Sequence, residues 1–442
     1  MRNLCNLLLQ MILLTQSFEV FLTITIGGYT FRPAFLLLLL FVSLTFFLII
    51  VNCYLLKFTG SNCLFSFLLI DIIFSLNSHS LVNSITYTLR LLINTFAIYA
   101  IIFWINKGCS ILEILRWNIR SCVFIALVGI VEKMLQLSGS CFENILPAFL
   151  YEGEIAFAHR VRCFSHEPSF LTNYIIWGWI VLAYQIEKQD YTLFSRRKLY
   201  LFFFLVSIVI LASTSKLALL CIGIWIIFRF LIFVFYTLYS GRCRLRAIKF
   251  LTICILLAPV FILGIYYCEK EYGTVSFIIE GSGFLGSPSH SYDERSEFTQ
   301  RLLNIFLEKP LRGVSLGGVG PEISYPEEYD KFGKIHQGCN SFLEILVGWG
   351  IIGGFLFFLF LYKILYRTPK ICRHSQYYTL LKGTCYALIM QLFSFYWNHG
   401  ILRIYLWLSI AIVIMIEYQI LNNQYISHKQ DNTNSMQSFE KT

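Results

Sequence analysis

Apolar runs of about 20 residues recur along almost the whole chain, and a run of that length spans the hydrocarbon core of a bilayer as a helix. The pattern predicts about twelve membrane-spanning helices. They lie near residues 4–26, 33–55, 62–78, 81–105, 118–137, 167–186, 199–213, 216–237, 247–267, 341–362, 377–396 and 401–420. We therefore predict an all-α polytopic membrane protein in which residues 1–421 form a single membrane domain.

The composition excludes a soluble globular protein. Of the 442 residues, 57% are hydrophobic and only 14% are charged, and the mean hydropathy is +0.67. The 42 phenylalanines and 26 tyrosines suit a lipid-facing surface with aromatic side chains at its interfaces. These values are typical of proteins that cross the membrane several times.

Lysines and arginines collect in alternate loops between the predicted helices. These loops hold Lys107, Arg116 and Arg120; Lys188, Arg196, Arg197 and Lys198; Arg242, Arg244, Arg246 and Lys249; and Lys363, Arg367, Lys370 and Arg373. Short loops rich in these residues stay in the cytoplasm, and the alternation then places both chain termini there as well. The net charge of +10 therefore reports on topology, and we expect no nucleic-acid partner.

Two longer loops are expected on the opposite side of the membrane, at residues 138–166 and 268–340. The second carries 11 acidic and seven basic residues. Long loops are exempt from the positive-inside rule, so the arginines in them need another explanation. The polar segment 422–442 has the composition of a disordered cytoplasmic tail.

The 14 cysteines do not suggest a metal site, because the sequence has no C-x-x-C and no Cys/His zinc spacing. Most lie inside predicted spans, where cysteine behaves as a small apolar residue. Cys141, Cys163, Cys268 and Cys339 are expected on the outer side, where the alternatives are a Cys141–Cys163 disulfide and free thiols. We expect neither a metal nor another cofactor.

The stretch 295–354 is a polar island in an otherwise apolar chain. Its first part, 295–308, predicts an amphipathic helix that Pro310 ends. His336 and Asn340 follow, just before the glycine-containing apolar run of the tenth span. A histidine there can titrate near neutrality and act as a general base, although a lone histidine is more often structural.

The end of the first outer loop combines two arginines with a carboxylate. Arg160 and Arg162 lie a few residues before the predicted span 167–186, and Glu167 stands at its start. One interpretation is ordinary helix capping with interfacial arginines. The other is a charged cluster at a cavity mouth, in which the arginines bind phosphate and the glutamate binds a sugar hydroxyl.

Other charged positions near the membrane leave similar alternatives open. Lys216 ends a Ser-Thr-Ser-Lys break between two apolar runs, and it is either a snorkelling lysine in a turn or a second cation facing the same cavity. Glu19, Asp71 and Arg90 fall inside early spans, where ionisable residues are costly. Asp71 and Arg90 either pair across neighbouring helices or line a polar cavity.

Several of these segments together resemble the superfamily of O-antigen polymerases and O-antigen ligases. The family's large outer loop opens a helix with an arginine, ends it near P-L-x-G, and closes with H-N-x-[YF]-L before a glycine-rich helix. The matching residues here are Arg295, the Pro310-Leu311-Arg312-Gly313 segment and the Asn340-Ser341-Phe342-Leu343 segment. The EPSF sequence at 167–170 is similar to the polymerase branch, and Ser213-Thr214-Ser215-Lys216 is similar to the S-x-S-R turn. Cys339 stands where the family often has its histidine, and Lys216 replaces the usual arginine.

The resemblance implies a GT-C-like helical fold in a bacterial inner membrane and glycosyl transfer on its periplasmic side. The donor would be an undecaprenyl-pyrophosphate-linked oligosaccharide and the acceptor another lipid-linked repeat unit, with inversion and no required metal. It implies that Arg160, Arg162, Lys216, Arg295, Arg301 and Asn340 bind pyrophosphate or substrate. The base would be Glu167 or His336, and Glu167 is favoured because it lies beside the arginines in sequence.

Three other functions remain open at this point. An O-antigen ligase, which transfers the glycan to lipid A-core, shares nearly every feature, and only EPSF favours a polymerase. A transporter or flippase of lipid-linked glycan would need more charges in the middle of its spans. A binding partner of such an enzyme would not need clustered arginines, although a chain-length regulator protein is an expected partner of a polymerase.

Overall fold

The computed structural model describes residues 2–26, 29–51, 56–140, 142–147, 150–151, 160–240, 290–324, 338, 340–373 and 375–439. Several predictions fall outside these residues. They are the span at 247–267, the base His336, and the outer cysteines 141, 268 and 339. The backbone of Arg295 lies in a described helix, but its side chain is outside the description.

The described chain is helical apart from one short hairpin. The helices are α1 Arg2–Thr15, α2 Pro33–Val51, α3 Ser61–Leu76, α4 Leu81–Asn106, α5 Ile111–Leu137, α6 Phe142–Ile145, α7 Pro168–Lys188, α8 Arg196–Ala212, α9 Lys216–Ser240, α10 His290–Glu308, α11 Leu316–Ile323, α12 Ser341–Tyr362, α13 Thr368–Ile371, α14 Tyr378–Ser394 and α15 Ile404–Phe439. A π-helical turn, Lys363–Arg367, follows α12, and a 3-10 turn, Phe395–Trp397, follows α14. Strands β1 Ile24–Ile26 and β2 Tyr29–Phe31 pair antiparallel, with Ile24 opposite Phe31.

Six of the described helices are long and apolar enough to cross a membrane, within Pro33–Val51, Leu81–Asn106, Ile111–Leu137, Lys216–Phe235, Ser341–Ile371 and Ile404–Asn422. The chain is therefore a helical, polytopic membrane protein, as predicted, whereas the number twelve stays a prediction. Several other predicted spans form helices of 17 residues or fewer, such as α3 and α14. Helix α7 has 21 residues, but it contains polar side chains such as Asn173 and Gln185.

The first helix is shorter than the apolar run 4–26 predicts. It ends at Thr15, because the polar residues that follow turn the chain towards another segment. The N–H groups of Glu19 and Val20 both donate to the carbonyl of Phe164, at 2.8 and 3.1 Å. This backbone pairing fixes the segment after α1 against the end of the first outer loop.

The chain divides into two compact units, Met1–Ala218 with Arg301–Thr442, and Leu219–Gln300. The second unit contains most of α9 and the beginning of α10. The first unit contains every residue of the site described below. Helix α15 is described from Ile404 to Phe439, and the disorder of the segment 422–442 stays a prediction.

Helix α12 is broken at Gly350, and the segment before α11 fills the break. Gly350 has φ 61° and ψ −173°, which is not helical. The N–H of Ile351 donates to the carbonyl of Pro310 at 2.8 Å, and the carbonyl of Val347 accepts from the N–H of Val314 at 2.9 Å. Two backbone groups that the helix leaves unpaired are thereby satisfied inside the protein, as apolar surroundings require.

Asp71 joins three helices. Its Oδ2 accepts a 2.7 Å hydrogen bond from Thr88 of α4, and its Oδ1 accepts a 2.6 Å bond from the indole N–H of Trp349 in α12. These partners replace the Asp71–Arg90 pair that was one alternative from the sequence. Asp71 therefore has a packing role, and Arg90 is left to line a cavity.

Candidate functional site

A cavity of about 830 Å³ lies where the ends of several helices meet in the first unit. Its lining residues with charged or imidazole side chains come from widely separated parts of the sequence. They are Glu19, Arg32, Arg90, Glu344, His399 and Arg403. Such a cluster in a mostly apolar protein marks a place where polar chemistry or ligand binding can occur.

Two of the arginines stand directly before apolar helices. Arg32 precedes α2, which begins with Pro33, and Arg403 precedes α15, which begins with Ile404. An arginine at the boundary of an apolar helix keeps its guanidinium at the end of the helix, outside the apolar run. Arg90 instead lies within α4, nine residues after its first residue Leu81, and also lines the cavity.

Glu19 and Arg403 form a buried ion pair at the cavity. Oε1 of Glu19 accepts from Nη1 of Arg403, and the two side chains are 3% and 8% exposed. Oε2 of Glu19 accepts from the backbone N–H of His166 at 3.1 Å. Burial alone raises the pKa of the Glu19 carboxyl, but Arg403 and Arg32 outweigh burial and hold this pKa below its ordinary value.

Arg32 and Arg90 have fewer protein partners than Arg403. Arg90 lies over the ring of Tyr87, 5.9 Å from its centroid. The guanidinium groups of Arg32 and Arg90 donate no hydrogen bond to any residue that the structure describes. Burial, together with the like charge of Arg403, lowers the pKa of the Arg32 guanidinium to about 10. Arg32 is still cationic at neutral pH, and the cavity therefore concentrates positive charge.

The opposite wall contributes a second carboxylate. Glu344 lies in the first turn of α12 and is buried. Gly338 packs directly on it, since a Cβ atom at 338 would be 2.6 Å from Oε1 of Glu344. Asn340 caps the same helix, and its Oδ1 accepts from the N–H groups of Phe342 and Leu343 at 3.0 and 3.2 Å.

His399 and Phe170 fix the orientation of Arg403. The guanidinium carbon of Arg403 lies 3.9 Å from the centroid of the Phe170 ring, and its Nη2 donates to Nε2 of His399 at 3.4 Å. The rings of Phe170 and His399 meet edge to face with centroids 5.0 Å apart. Because Phe170 belongs to the EPSF sequence, the predicted cluster at the start of α7 lies next to this cavity.

Arg160 and the Ser-Thr-Ser-Lys turn are in direct contact. Arg160 donates to Oγ1 and to the carbonyl of Thr214, at 3.2 and 3.3 Å. Lys216 is exposed at the first residue of α9. Glu167 is the N-cap residue of α7 and lies within electrostatic range of both Arg160 and Arg403. Burial lowers the pKa of Arg160, and Glu167 only partly offsets this shift.

Arg162 is buried, with 1% of its surface exposed. Its backbone N–H and that of Cys163 donate to the carboxylate of Glu132 in α5, the shorter bond being 2.7 Å from Cys163. Nη1 of Arg162 donates to the carbonyl of His166 at 3.3 Å. Cys163 is a buried free thiol. The structure thus gives this part of the loop a well-packed backbone.

The other predicted residues are more scattered. Nη1 of Arg301 donates to the carbonyl of Ile323 at 3.0 Å and so links α10 to the end of α11. Arg162, Arg301 and Asn340 do not line the cavity within the described part of the chain. In the same residues no group of three His, Cys, Asp or Glu side chains has the arrangement of a metal site.

Sequence reasoning missed Arg32, His399 and Arg403 as site residues. One signal was available, because Arg403 falls inside the predicted span 401–420, where a charge is costly. A second signal is that Arg32 precedes a span on the side where few lysines and arginines are expected. Glu19 and Arg90 were noted in the sequence as charges inside early spans, and the structure brings them to one cavity with Glu344.

The fold and the site together define a polytopic helical membrane protein with a buried cationic cavity. Residues 201–358 match a family model described as O-Antigen ligase. This match confirms the resemblance to the O-antigen ligase and polymerase superfamily over that segment. The segment includes the turn before α9, helix α10 and the first part of α12. A comparison with curated proteins gave no match.

Proposed function

We propose that the protein is a glycosyltransferase that joins undecaprenyl-pyrophosphate-linked oligosaccharides at this cavity, as an O-antigen polymerase does. The observation that carries the proposal is the meeting of Arg32, Arg90 and Arg403 with two carboxylates in one cavity of a membrane protein. The match of residues 201–358 to the O-antigen ligase family supports the same type of reaction. We place the site on the periplasmic side of a bacterial inner membrane.

The reaction needs two things from the protein. The bond between the anomeric carbon of the donor and its pyrophosphate must break, and guanidinium groups favour this by neutralising the charge on the leaving group. The acceptor hydroxyl oxygen forms the new bond to that carbon, and its proton must pass to a base. Attack from the side opposite the leaving group inverts the anomeric centre, and this scheme requires no metal.

Glu167 is the base that we favour. Its carboxylate interacts electrostatically with the guanidinium groups of both Arg160 and Arg403. A carboxylate in that position can accept a proton beside a cation-bound leaving group. His336 is the second candidate from the sequence, and Glu344 is a third because it lines the cavity. The family resemblance also implies pyrophosphate or substrate contacts for Arg160, Arg162, Lys216, Arg295, Arg301 and Asn340, although those of them whose side chains the structure describes do not line the cavity.

The polymerase assignment over the ligase rests on the EPSF sequence at 167–170. The test is mass spectrometry of the surface polysaccharide from a strain that lacks the protein. Single repeat units on the surface would support a polymerase. A missing glycan with accumulated lipid-linked polymer would instead support a ligase. Unchanged polysaccharide would contradict both.

The role of Arg295 is tested by substituting it and measuring polymer formation. We expect Arg295→Ala to abolish polymer while the protein remains in the membrane, and Arg295→Lys to restore it only in part. The reason is that an ammonium cannot reproduce the forked grip of a guanidinium. Arg197→Ala, an exposed arginine at the start of α8, is the matched control. Full activity of Arg295→Ala at normal protein level would remove Arg295 from the site.

A further inference from the structure

Three arginines from distant segments share one cavity, and none of them belongs to the sequence motifs that carry the family resemblance. Arg32 follows the β-hairpin, Arg90 lies in α4, and Arg403 follows the connection after α14. Each interacts electrostatically with at least one of the others. Bringing like charges together is unfavourable unless a carboxylate or a bound anion offsets the repulsion.

Protein carboxylates offset only part of this charge. Glu19 pairs directly with Arg403 and interacts more weakly with Arg32. Arg90 has the ring of Tyr87 as its neighbour. The guanidinium groups of Arg32 and Arg90 donate no hydrogen bond to a described residue, and both arginines line the space in which a ligand would bind. Two guanidiniums with five donors each fit a ligand that presents several oxygen atoms.

The cavity wall indicates what is attached to those oxygen atoms. Phe35 and Leu39 of α2, and Leu89 and Ile93 of α4, line one side of the cavity. Leu39 and Leu89 are 41% and 53% exposed, and both belong to helices that are long and apolar enough to cross a membrane. The polar cavity therefore continues into an apolar strip that reaches the lipid-facing surface. A soluble anion gains no binding free energy from an apolar strip, whereas a lipid chain gains it by burying its own apolar surface there.

We propose that Arg32 and Arg90, beside the fixed Arg403, bind the diphosphate group of a lipid-linked substrate whose isoprenoid chain leaves between α2 and α4. This inference rests on the proposed function, because it assigns a place to the anionic group of its substrates. The volume of about 830 Å³ is within the usual range of about 300–1,000 Å³ for small-molecule sites. It has room for a diphosphate and the adjoining sugar. The diphosphate can come from the donor or from the acceptor, since both substrates of a polymerase carry one.

The test measures binding separately from glycosyl transfer. The purified full-length protein in nanodiscs is titrated with farnesyl pyrophosphate, and binding is measured at low and at high salt. We expect Arg32→Ala and Arg90→Ala each to weaken binding about tenfold or more, as loss of a charge-assisted contact does. Arg32→Lys should recover part of the loss. Arg197→Ala, a surface arginine outside the cavity, should bind as the wild type does.

A second measurement does not depend on the folding of variants. Phenylglyoxal modifies accessible arginines, and peptide mass spectrometry locates the modified positions. In wild-type protein we expect farnesyl pyrophosphate to protect Arg32 and Arg90 but not Arg197. Transfer assays in which donor and acceptor are varied one at a time then identify the source of the diphosphate. Arg32→Lys should raise the KM for only one of the two substrates, and that substrate is the one whose diphosphate the site binds.

The outcomes separate this site from the proposed function. Unchanged farnesyl pyrophosphate binding in both alanine variants, or equal modification with and without the probe, would overturn the site even if the protein makes polymer. Binding that depends on Arg32 and Arg90 supports the site even if the surface polysaccharide of the deletion strain is normal. In that second case the glycosyltransferase assignment fails and the diphosphate site stands.

Discussion

The carboxylate of Glu19 holds Arg403 with one oxygen and the backbone N–H of His166 with the other. Arg403 lies 384 positions and His166 lies 147 positions from Glu19 along the chain. One side chain therefore fixes a cavity arginine relative to the loop that ends at Glu167. The ion pair is almost fully buried, so its loss should affect both stability and the geometry of the site.

We expect Glu19→Ala to destabilise the protein by about 3–5 kcal/mol, because it leaves the buried charge of Arg403 without its partner. Thermal unfolding in detergent measures the effect. Glu187→Ala removes a half-exposed acid next to Lys188 and should change stability by no more than about 0.5 kcal/mol. Equal shifts for the two variants would show that the Glu19 pair is not structurally important.

The same carboxylate predicts a dependence of stability on pH. The pKa of Glu19 is lowered in the folded protein from its ordinary value of 4.5. As pH falls, the unfolded chain therefore takes up this proton before the folded chain does. The stabilisation from Glu19 is fully present above pH 4.5 and is lost as pH falls through the folded-state pKa. The difference in unfolding temperature between wild type and Glu19→Gln should be constant near neutrality and should shrink below that pH. A difference that grows on acidification would contradict the assigned charge state.

Gly350→Ala should destabilise the protein by at least about 1 kcal/mol. Gly350 has a positive φ of 61°, and a Cβ atom there would lie 2.2 Å from the carbonyl oxygen of Leu311. Gly223→Ala is the matched control, because Gly223 is helical and a Cβ atom there meets nothing within 4 Å. That change should be neutral or slightly stabilising. Unfolding curves of both variants test the comparison.

The identity of the base can be decided from rates and their pH dependence. If Glu167 takes the proton, Glu167→Gln should lower the transfer rate by about 10²- to 10⁴-fold. If His336 does, the rate of the wild type should fall as pH drops through about 6 to 7. Purified enzyme with lipid-linked repeats provides the assay. Near-normal transfer by Glu167→Gln together with inactive His336→Asn would reverse our preference.

The topology prediction is tested with reporter fusions. Fusions after Glu154 and Gly281 should report a location outside the cytoplasm, and fusions after Asp190 and Pro369 a location inside it. The reason is the alternation of lysine- and arginine-rich loops. A cytoplasmic signal from the Gly281 fusion would place the large loop, and with it the proposed chemistry, on the wrong side of the membrane.

The helices themselves could be predicted closely from the sequence. The apolar runs 81–105, 216–237 and 341–362 correspond to helices Leu81–Asn106, Lys216–Ser240 and Ser341–Tyr362. Length and polarity decide these boundaries locally. The helix predicted from the run 4–26 was too long, because the helix ends at Thr15. After it, the N–H groups of Glu19 and Val20 bond to the carbonyl of Phe164 instead of continuing the helix. A local pattern holds no information about that distant partner.

The cavity could not be predicted in the same way. Arg32, Arg90 and Arg403 are at least 58 residues apart in the sequence, and only the packing of α2, α4 and α15 brings them together. Motif reasoning instead selected residues that are close in sequence. It grouped Arg160 with the Ser-Thr-Ser-Lys turn; the two are in contact, whereas their role at the cavity stays a prediction. Motifs do not mark His399 or Arg403, and the one local signal was the position of Arg403 inside the predicted span 401–420.

The break in α12 also constrains how the protein can be made. The chain from Pro310 to Val314, which pairs with the broken turn, leaves the ribosome before residues 341–362 do. The partner for the exposed backbone groups is thus already synthesised when the break reaches the bilayer, where each unsatisfied group costs several kcal/mol. A circular permutant that opens the chain between Ser324 and Gly338 would reverse this order. Its broken helix would enter the membrane before its partner exists, and we expect such a chain to insert poorly although every native contact could still form.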